Sequence, residues 1–390
     1  MAKTKKEGQS AKKATDQASQ QTNGHAETPE QLYTTAVELA EQSQPEEALA
    51  VAQKLLTLVQ TKTPRDALPA LNLLGEISLE LGEAEQAREY FQRAAQIDPA
   101  GELEGPLGGG AEKFLWLAQL CEDGGRESVA WFEKGATALQ RDISMLDNAT
   151  HLGLDEDTLV VVRAEKKAKL ANALCGIVEV YMTDLSWDDD AEEKCENLIT
   201  QAMTVEDETS PEVLQTLASV RLSQDRKDDA RAALQRSYGS WKDLDADDED
   251  VPEFAARISL ARLLMEADLE DDAMDVLDRL VLEDDQSVEA WYLGGWCQWL
   301  LADKSKIAQA DPEDIRSVQK GSRRWLKTAL RLYDQLDYED DRLKDHAQEL
   351  VTGLDAALGP ENEEDENQWE EEWDGIAEQD GVEDEEMQDV

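Results

Sequence analysis

The sequence predicts an all-α fold, a solenoid of about seven helix pairs closed by a C-terminal capping helix. Three observations predict it. Apolar residues recur at three- and four-residue spacing over most of the chain, separated by Gly, Asp and Pro. No segment alternates apolar and polar residues between hairpin turns, as strands do. A set of small and apolar residues also returns at a fixed period, the mark of stacked repeats.

The clearest unit runs Leu71, Leu74, Gly75, Gly82, Ala87, Phe91, Ala94 and Pro99. It resembles the tetratricopeptide repeat, which places a large residue, Leu-Gly, a glycine turn, Ala, an aromatic, Ala and Pro at these spacings. Gly75 and Ala87 let the paired helices approach closely, Phe91 fills the space between helix pairs, and Pro99 ends the second helix. Leu32, Ala36, Leu39, Ala48, Ala52 and Leu55 form a unit before it. Phe114, Leu117, Ala118, Phe132 and Gly135 form one after it, with a shortened turn. Residues 166 to 203 read as a unit with an expanded turn at Leu185-Ser186-Trp187-Asp188. Leu214, Leu217, Ala218, Ala230 and Leu234 make the next, then Leu260, Ala261, Ala273, Leu277 and Leu280. Trp291, Gly294 and Gly295 open the last pair, one period of about 34 residues after Ala261. Ser322, Leu326 and Ala329 belong to its second helix, after an insertion near 303 to 317. A capping helix is expected near 341 to 358. The resemblance implies a right-handed superhelix whose concave face takes an extended peptide or a helix.

Proline marks helix starts at Pro45-Glu46-Glu47, Ser210-Pro211-Glu212 and Asp311-Pro312-Glu313, with acids near the positive helix end. Residues 1–28 are rich in Lys, Gln, Ser, Thr and Ala and are expected to be a disordered arm. The solenoid then spans 29–358, and 359–390 is an acidic disordered tail. Residues 360 to 390 hold 16 Asp or Glu and no Lys or Arg, with apolar anchors at Trp369, Trp373 and Ile376. The stretch Gly105-Pro106-Leu107-Gly108-Gly109-Gly110 is expected to be a surface loop that interrupts stacking between the second and third units.

Charge excludes several function classes. The chain has 89 Asp and Glu against 38 Lys and Arg, a formal charge of −51. That sign opposes direct nucleic-acid binding and anionic membrane surfaces, and it steers cationic partners inward. No apolar run reaches the roughly 20 residues of a membrane span, and no apolar leader is seen. Cys121, Cys175, Cys195 and Cys297 lie far apart inside helical patterns, as reduced thiols of a cytosolic or nuclear protein would. His25, His151 and His346 are scattered, so no nucleophile–base pair or metal-ligand set is legible, and no enzyme activity is expected. The aspartate runs at 188–190 and 245–250 lack the spacing and glycine of a calcium loop. Gly108-Gly109-Gly110 lacks the following Lys-Ser/Thr of a phosphate loop. No cofactor or metal is expected.

The tetratricopeptide resemblance implies which positions of each first helix look inward. In the early units these include Tyr33, Val37 and Glu41, then Asn72, Glu76 and Glu80, then Leu115, Gln119, Glu122 and Asp123. Later units give Asn172 and Glu179, then Gln215, Ser219, Arg262, Met265 and Glu266, and finally Tyr292, Trp296 and Trp299. The expected partner-binding set is therefore Tyr33, Glu41, Glu76, Glu80, Glu122, Asp123, Glu179, Arg262, Glu266, Tyr292, Trp296 and Trp299. It is acidic first and aromatic last. Carboxylates pair with Arg and Lys, and Trp and Tyr faces accept cations. An ordinary exposed surface for each Glu, and helix packing for Trp296 and Trp299, are the competing readings. Arg262 breaks the acidic trend and either pairs internally or reads a polar group on the partner. A clamp for the C-terminal carboxylate of heat-shock chaperones would need Lys, Arg and Asn at these positions, and that reading is rejected.

A Lys-containing start, about seven degenerate repeats and the tail segment Gln368-Trp369-Glu370-Glu371-Glu372-Trp373-Asp374 together resemble the fungal dedicated assembly chaperones of the fourth large-subunit ribosomal protein. The resemblance covers nearly the whole chain. It implies a chaperone that takes the basic internal loop of that newly made ribosomal protein in its acidic concave groove, as a monomer forming a one-to-one heterodimer. It further implies protection of the loop from aggregation, cytoplasmic and nuclear residence, and delivery to pre-60S particles. An acidic adaptor or chaperone for another basic protein, such as a histone, or a scaffold subunit with a neutral ligand, are the alternatives.

Overall fold

The computed structural model describes residues 27–60, 63–105, 109–148, 155–206, 210–248 and 250–359. The N-terminal arm up to residue 26, the tail from 360 onward and the centre of the glycine-rich stretch lie outside the described residues. Among these residues the structure has fifteen α-helices and one short 3-10 turn, with no strand. Two compact units are present, Met1–Lys166 and Lys167–Val390.

In the first unit α1 (Pro29–Glu41) packs on α2 (Pro45–Val59), α3 (Leu68–Glu80) on α4 (Ala84–Ile97), and α5 (Glu112–Gln119) on α6 (Gly125–Asp147). Thr28 opens α1 with a reciprocal cap, its hydroxyl accepting from Gln31 N–H while the Gln31 side chain accepts from Thr28 N–H. Proline occupies the first turn of α1, α2 and α3, where a missing N–H costs nothing. Leu71, Leu74 and Ile77 of α3 are buried with Leu32, Ala36, Ala48, Ala52 and Leu55 of the preceding pair. A methyl group on Gly75 would collide with the Phe91 ring, so the glycine is what lets α3 and α4 meet. Phe91 also stacks on Trp116 of α5, with centroids 6.4 Å apart, which joins the second pair to the third.

In the second unit α7 (Glu156–Met182), which contains the unit boundary, is followed by α8 (Ala191–Val205). The pairs α9 (Pro211–Ser223) with α10 (Lys227–Gly239), and α11 (Phe254–Glu266) with α12 (Glu270–Glu283), come next. The last pair is α13 (Val288–Ile307) with α14 (Pro312–Gln335), and α15 (Asp341–Leu358) packs on α14 as the cap. Gly294 and Gly295 repeat the role of Gly75, lying against Trp325 and Leu326 of α14, while Ser322 Oγ donates to Gly295 O at 2.7 Å.

One turn chemistry recurs. Ser43, Gly82, Asp225, Asp268, Gln309 and Asp337 all hold positive φ just after a helix. The next N–H reaches back five residues in each case, from Gln44 to Leu39 O at 3.0 Å and from Leu269 to Leu264 O at 2.9 Å, for example. This is the left-handed helix end with its 6→1 bond. The insertion expected near 303 to 317 is largely helical. It lengthens α13 to 20 residues and α14 to 24, because helical patterning continues on both sides of the Gln309 turn. Cys121 lies in the turn after α5 rather than inside a helix, since α5 ends at Gln119. Cys175, Cys195 and Cys297 are buried free thiols and Cys121 is half-buried. Burial pushes Cys175 up to about 12, which leaves it unreactive near neutrality.

Candidate functional site

The first unit contains a hollow of about 860 Å³ between α1, α3 and the segment that follows α4. Tyr33, 40% exposed, projects into it from α1. Glu104 lines it from the segment before the glycine-rich stretch, and Glu76 of α3 is near enough to act on the phenol. Burial first, then the negative potentials of Glu76 and Glu104, raise the Tyr33 pKa above its ordinary value. Desolvation likewise raises Glu104, against the lowering pull of Lys113 and of the Asn72 amide.

The segment carrying Glu104, which precedes the expected surface loop at 105–110, is pinned. Asn72 Nδ2 donates to both Glu104 oxygens, at 3.3 and 3.1 Å. Arg65 Nη2 donates to Leu103 O at 2.6 Å, and Arg141 donates to Ala100 O and Gly101 O at 2.8 and 2.6 Å. Beneath it, the fully buried Lys113 of α5 donates to Asp98 at 3.1 Å and to Gly110 O at 2.6 Å. Burial disfavours the Asp98 carboxylate. Hydrogen bonds from Glu102 N–H and Leu103 N–H, together with Lys113, outweigh that and hold its pKa below the ordinary range.

The other acidic positions of this unit lie apart from the hollow. Glu41 and Glu80 are exposed at the ends of α1 and α3. Glu122 and Asp123 are exposed in the turn between α5 and α6, and Glu122 is already paired with Arg88 at 2.8 Å. Asn72 was expected to face a partner, yet it is buried against Glu104.

In the second unit Arg262 and Glu266 of α11, Tyr292 and Trp296 of α13, and Asp340 and Arg342 at the start of α15 line a hollow of about 600 Å³. Four of the sequence-predicted residues are thus brought together. Arg262 forms an ion pair with Glu289 within the unit. The Tyr292 hydroxyl is 2.7 Å from His346 Nδ1, and the His346 ring stands edge-on to Trp296 at 5.1 Å. Burial raises the Tyr292 pKa, with Arg262 opposing and Asp340 adding to it. Trp299 instead packs against the Leu326, Ala347, Leu350 and Leu354 cluster and does not line the hollow. Gln215 and Met265 are buried, and Met265 still forms part of the wall of the hollow. Glu179 is exposed on α7, and the protein packed around it raises its pKa by desolvation.

An acidic face on α12 was not anticipated. Asp278 is pushed up to about 6 by desolvation and then by Asp275. Tyr238 is pushed up to about 12, again by burial first and then by Asp275 and Asp272. These carboxylates repel one another, so a cation arriving there gains from each. Acid runs are spread throughout this sequence, so nothing marked α12 beforehand. Among the described residues no cluster of three or more His, Cys, Asp or Glu is arranged to hold a metal ion. No described helix is long and apolar enough to cross a membrane.

Paired helices, glycine-mediated contact and the recurrent helix-end turn define a tetratricopeptide-repeat protein. Residues 69–100, which are α3 and α4, match the tetratricopeptide repeat family. A relative from Emericella nidulans, described as a probable assembly chaperone of rpl4, is 47% identical over 365 residues, covering 90% of this chain and 89% of its own length. One of the same description from Schizosaccharomyces pombe is 35% identical, over 84% of this chain and 90% of its own. The solved structure of an assembly chaperone of RpL4, Acl4, residues 1–338, superposes with a TM-score of 0.67 at 46% identity, covering 73% of this chain and all of that one. The chain belongs to the family of rpl4 assembly chaperones.

Proposed function

We propose that the chain is a dedicated chaperone of the ribosomal protein rpl4. In this reading it binds the basic internal loop of the newly made protein on its acidic and aromatic surfaces, one molecule to one. It keeps that loop soluble in cytoplasm and nucleus and releases it onto pre-60S particles. The observation that carries the reading is Tyr33 in a hollow lined by Glu104, with the Glu76 carboxylate near enough to act on the phenol. A guanidinium entering it can lie on the phenol face and fork its N–H groups onto a carboxylate. Tyr292 and Trp296 offer aromatic faces in the second unit, beside Glu266 and Asp340. The α12 carboxylates offer a third acidic surface.

Carboxylates on these surfaces substitute for the rRNA phosphates that neutralise a ribosomal protein after assembly. Binding is then salt-dependent, and RNA competes for the same cations. Family membership supports the ribosomal-protein partner, and the net charge of −51 supports a cationic ligand. The test is titration of an rpl4 loop peptide, labelled with a fluorophore, against the full chain and its Glu76→Lys and Tyr33→Ala variants. A charge-assisted contact is worth about 1.5–3 kcal/mol, so Glu76→Lys is expected to weaken binding about ten- to a hundredfold. Unchanged affinity in both variants would remove the hollow from the binding surface.

A further inference from the structure

The hollow of the second unit differs from that of the first in its charge and in its walls. The charged residues lining it balance, Arg262 and Arg342 against Glu266 and Asp340. Those of the first unit's hollow do not, with Glu30, Asp66 and Glu104 against Arg65 alone. In a chain of net charge −51 a balanced lining is a departure. Two of the four charges are also committed within the unit. Arg262 pairs with Glu289, and the Asp340 carboxylate accepts from the Arg342 and Leu343 N–H groups to cap α15. The side chains of Glu266 and Arg342 are exposed and make no hydrogen bond or ion pair with another described residue.

Between these charges the walls are apolar. Met265 of α11, Leu293 of α13 and Leu343 of α15 are buried, and Tyr292, Trp296 and Leu300 of α13 complete the lining. His346 of α15 fixes the two rings. Its Nδ1 is 2.7 Å from the Tyr292 hydroxyl, and its ring stands edge-on to Tyr292 at 5.9 Å and to Trp296 at 5.1 Å. The aromatic wall is therefore set in advance, and a partner need not supply the cost of ordering it. A space of about 600 Å³ is of the size that buries a ligand's apolar groups. A guanidinium is a poor occupant here. The apolar walls would desolvate it, and Arg342 would oppose the one uncommitted acid, Glu266.

We infer that this hollow seats one large apolar side chain of the client, aromatic or leucine. The inference rests on the chaperone reading above and adds a second kind of contact to it: cations held in the first unit, an apolar anchor held in the second. Glu266 can pair with a cation next to the anchor, and Arg342 with a carboxylate or backbone carbonyl. Burial of the anchor does not depend on ionic attraction, so this contact persists at salt concentrations that screen the charged ones.

Short overlapping peptides that tile rpl4, each labelled with a fluorophore and titrated against the full chain at low and high salt, test this. At least one peptide with a large apolar residue is expected to hold its affinity within about threefold as salt is raised. Trp296→Ala should weaken that peptide about tenfold or more. Leu300→Trp, which fills the hollow and removes none of its wall, should weaken it comparably, and Glu76→Lys should leave it unchanged. Changing the peptide's apolar residue to Ala should abolish the dependence on Trp296. The basic peptides should bind both α13 variants as they bind the wild type, which shows that the variants are folded. If every peptide binds the two α13 variants normally while the basic ones still respond to Glu76→Lys, the anchor is overturned and the chaperone reading stands. Binding of no peptide to the wild type would overturn both. A peptide that depends on Trp296 but loses about tenfold or more with salt would place a cation in the hollow and overturn the apolar assignment.

Discussion

Lys113→Met tests the support beneath the Tyr33 hollow. The Lys113 side chain has no exposure and that of Asp98 has 3%, with 3.1 Å between ammonium and carboxylate. Removing one member of a buried pair strands the other, at a cost of about 3–5 kcal/mol. Two considerations favour the lower end. Asp98 keeps its bonds from Glu102 N–H at 2.9 Å and Leu103 N–H at 3.3 Å. Methionine also refills most of the volume of the lysine stem, so the cavity contribution is small. The expected loss is therefore about 3 kcal/mol, localised to the first unit. Adding Asp98→Asn removes the stranded charge and should restore about 1–2 kcal/mol. Native-state hydrogen exchange of α3, α4 and α5 amides reads the change where it occurs. The pH dependence has a definite sign. In the wild type the folded pKa of Asp98 is depressed, so its contribution is complete above the unfolded value and is lost as pH falls through the lower folded one. In the variant only desolvation and two amide bonds remain, the folded pKa rises, and the deficit shrinks as acid neutralises the carboxylate. A variant within about 1 kcal/mol of wild type at pH 7, or a deficit that grows on acidification, would refute the reasoning.

Three further outcomes are expected. Gly75→Ala drives a methyl into the Phe91 ring and should cost about 1–3 kcal/mol in thermal unfolding, partly recovered by adding Phe91→Leu. Asp278 has a folded pKa near 6, above its unfolded value. Its ionisation therefore opposes folding, so the stability advantage of Asp278→Asn should grow from pH 4 to pH 6 and then level off in urea titrations. Tyr292→Phe removes the bond to His346 and should cost about 1 kcal/mol, seen as faster exchange in α13 and α15.

The repeat was legible because close helix contact demands small residues. Gly75, Gly294 and Gly295 could be read as the points where helices touch, and each lies against a partner side chain. Helix ends were harder. Ser43, Asp225, Asp268, Gln309 and Asp337 take the left-handed turn that only Gly82 advertised, since polar residues tolerate it at modest cost. The insertion near residue 309 was seen, but not that it would be helical on both sides. Site residues were legible only by helix face. Trp296 and Trp299 are three residues apart and both pack against the cap cluster, but the step of about 300° leaves only Trp296 lining the hollow. Glu104 was not found, because the segment between α4 and the glycine-rich stretch offers no period from which to infer direction. A lysine among the apolar residues of α5 was the available hint, since a buried ammonium needs a carboxylate brought to it.

The same accounting explains how so acidic a chain stays folded while leaving its charge available. Many arginines clip backbone carbonyls where helices are joined. Arg65 holds Leu103 O, Arg141 holds Ala100 O and Gly101 O, and Arg231 holds Ala267 O. Arg279 holds Lys242 O and Leu244 O, and Arg316 holds Leu358 O. Each such bond satisfies an acceptor at a helix end or in a connection, where the chain has no other partner to offer it. A guanidinium used this way still lowers the overall repulsion, and two of them pair with carboxylates as well, Arg141 with Asp142 at 3.0 Å and Arg231 with Asp268 at 3.1 Å. Asp275 and Asp278 of α12 act on each other as like charges, and a cationic segment that meets them replaces that repulsion with pairing. In the proposed binding, relief of this self-repulsion is part of the driving force.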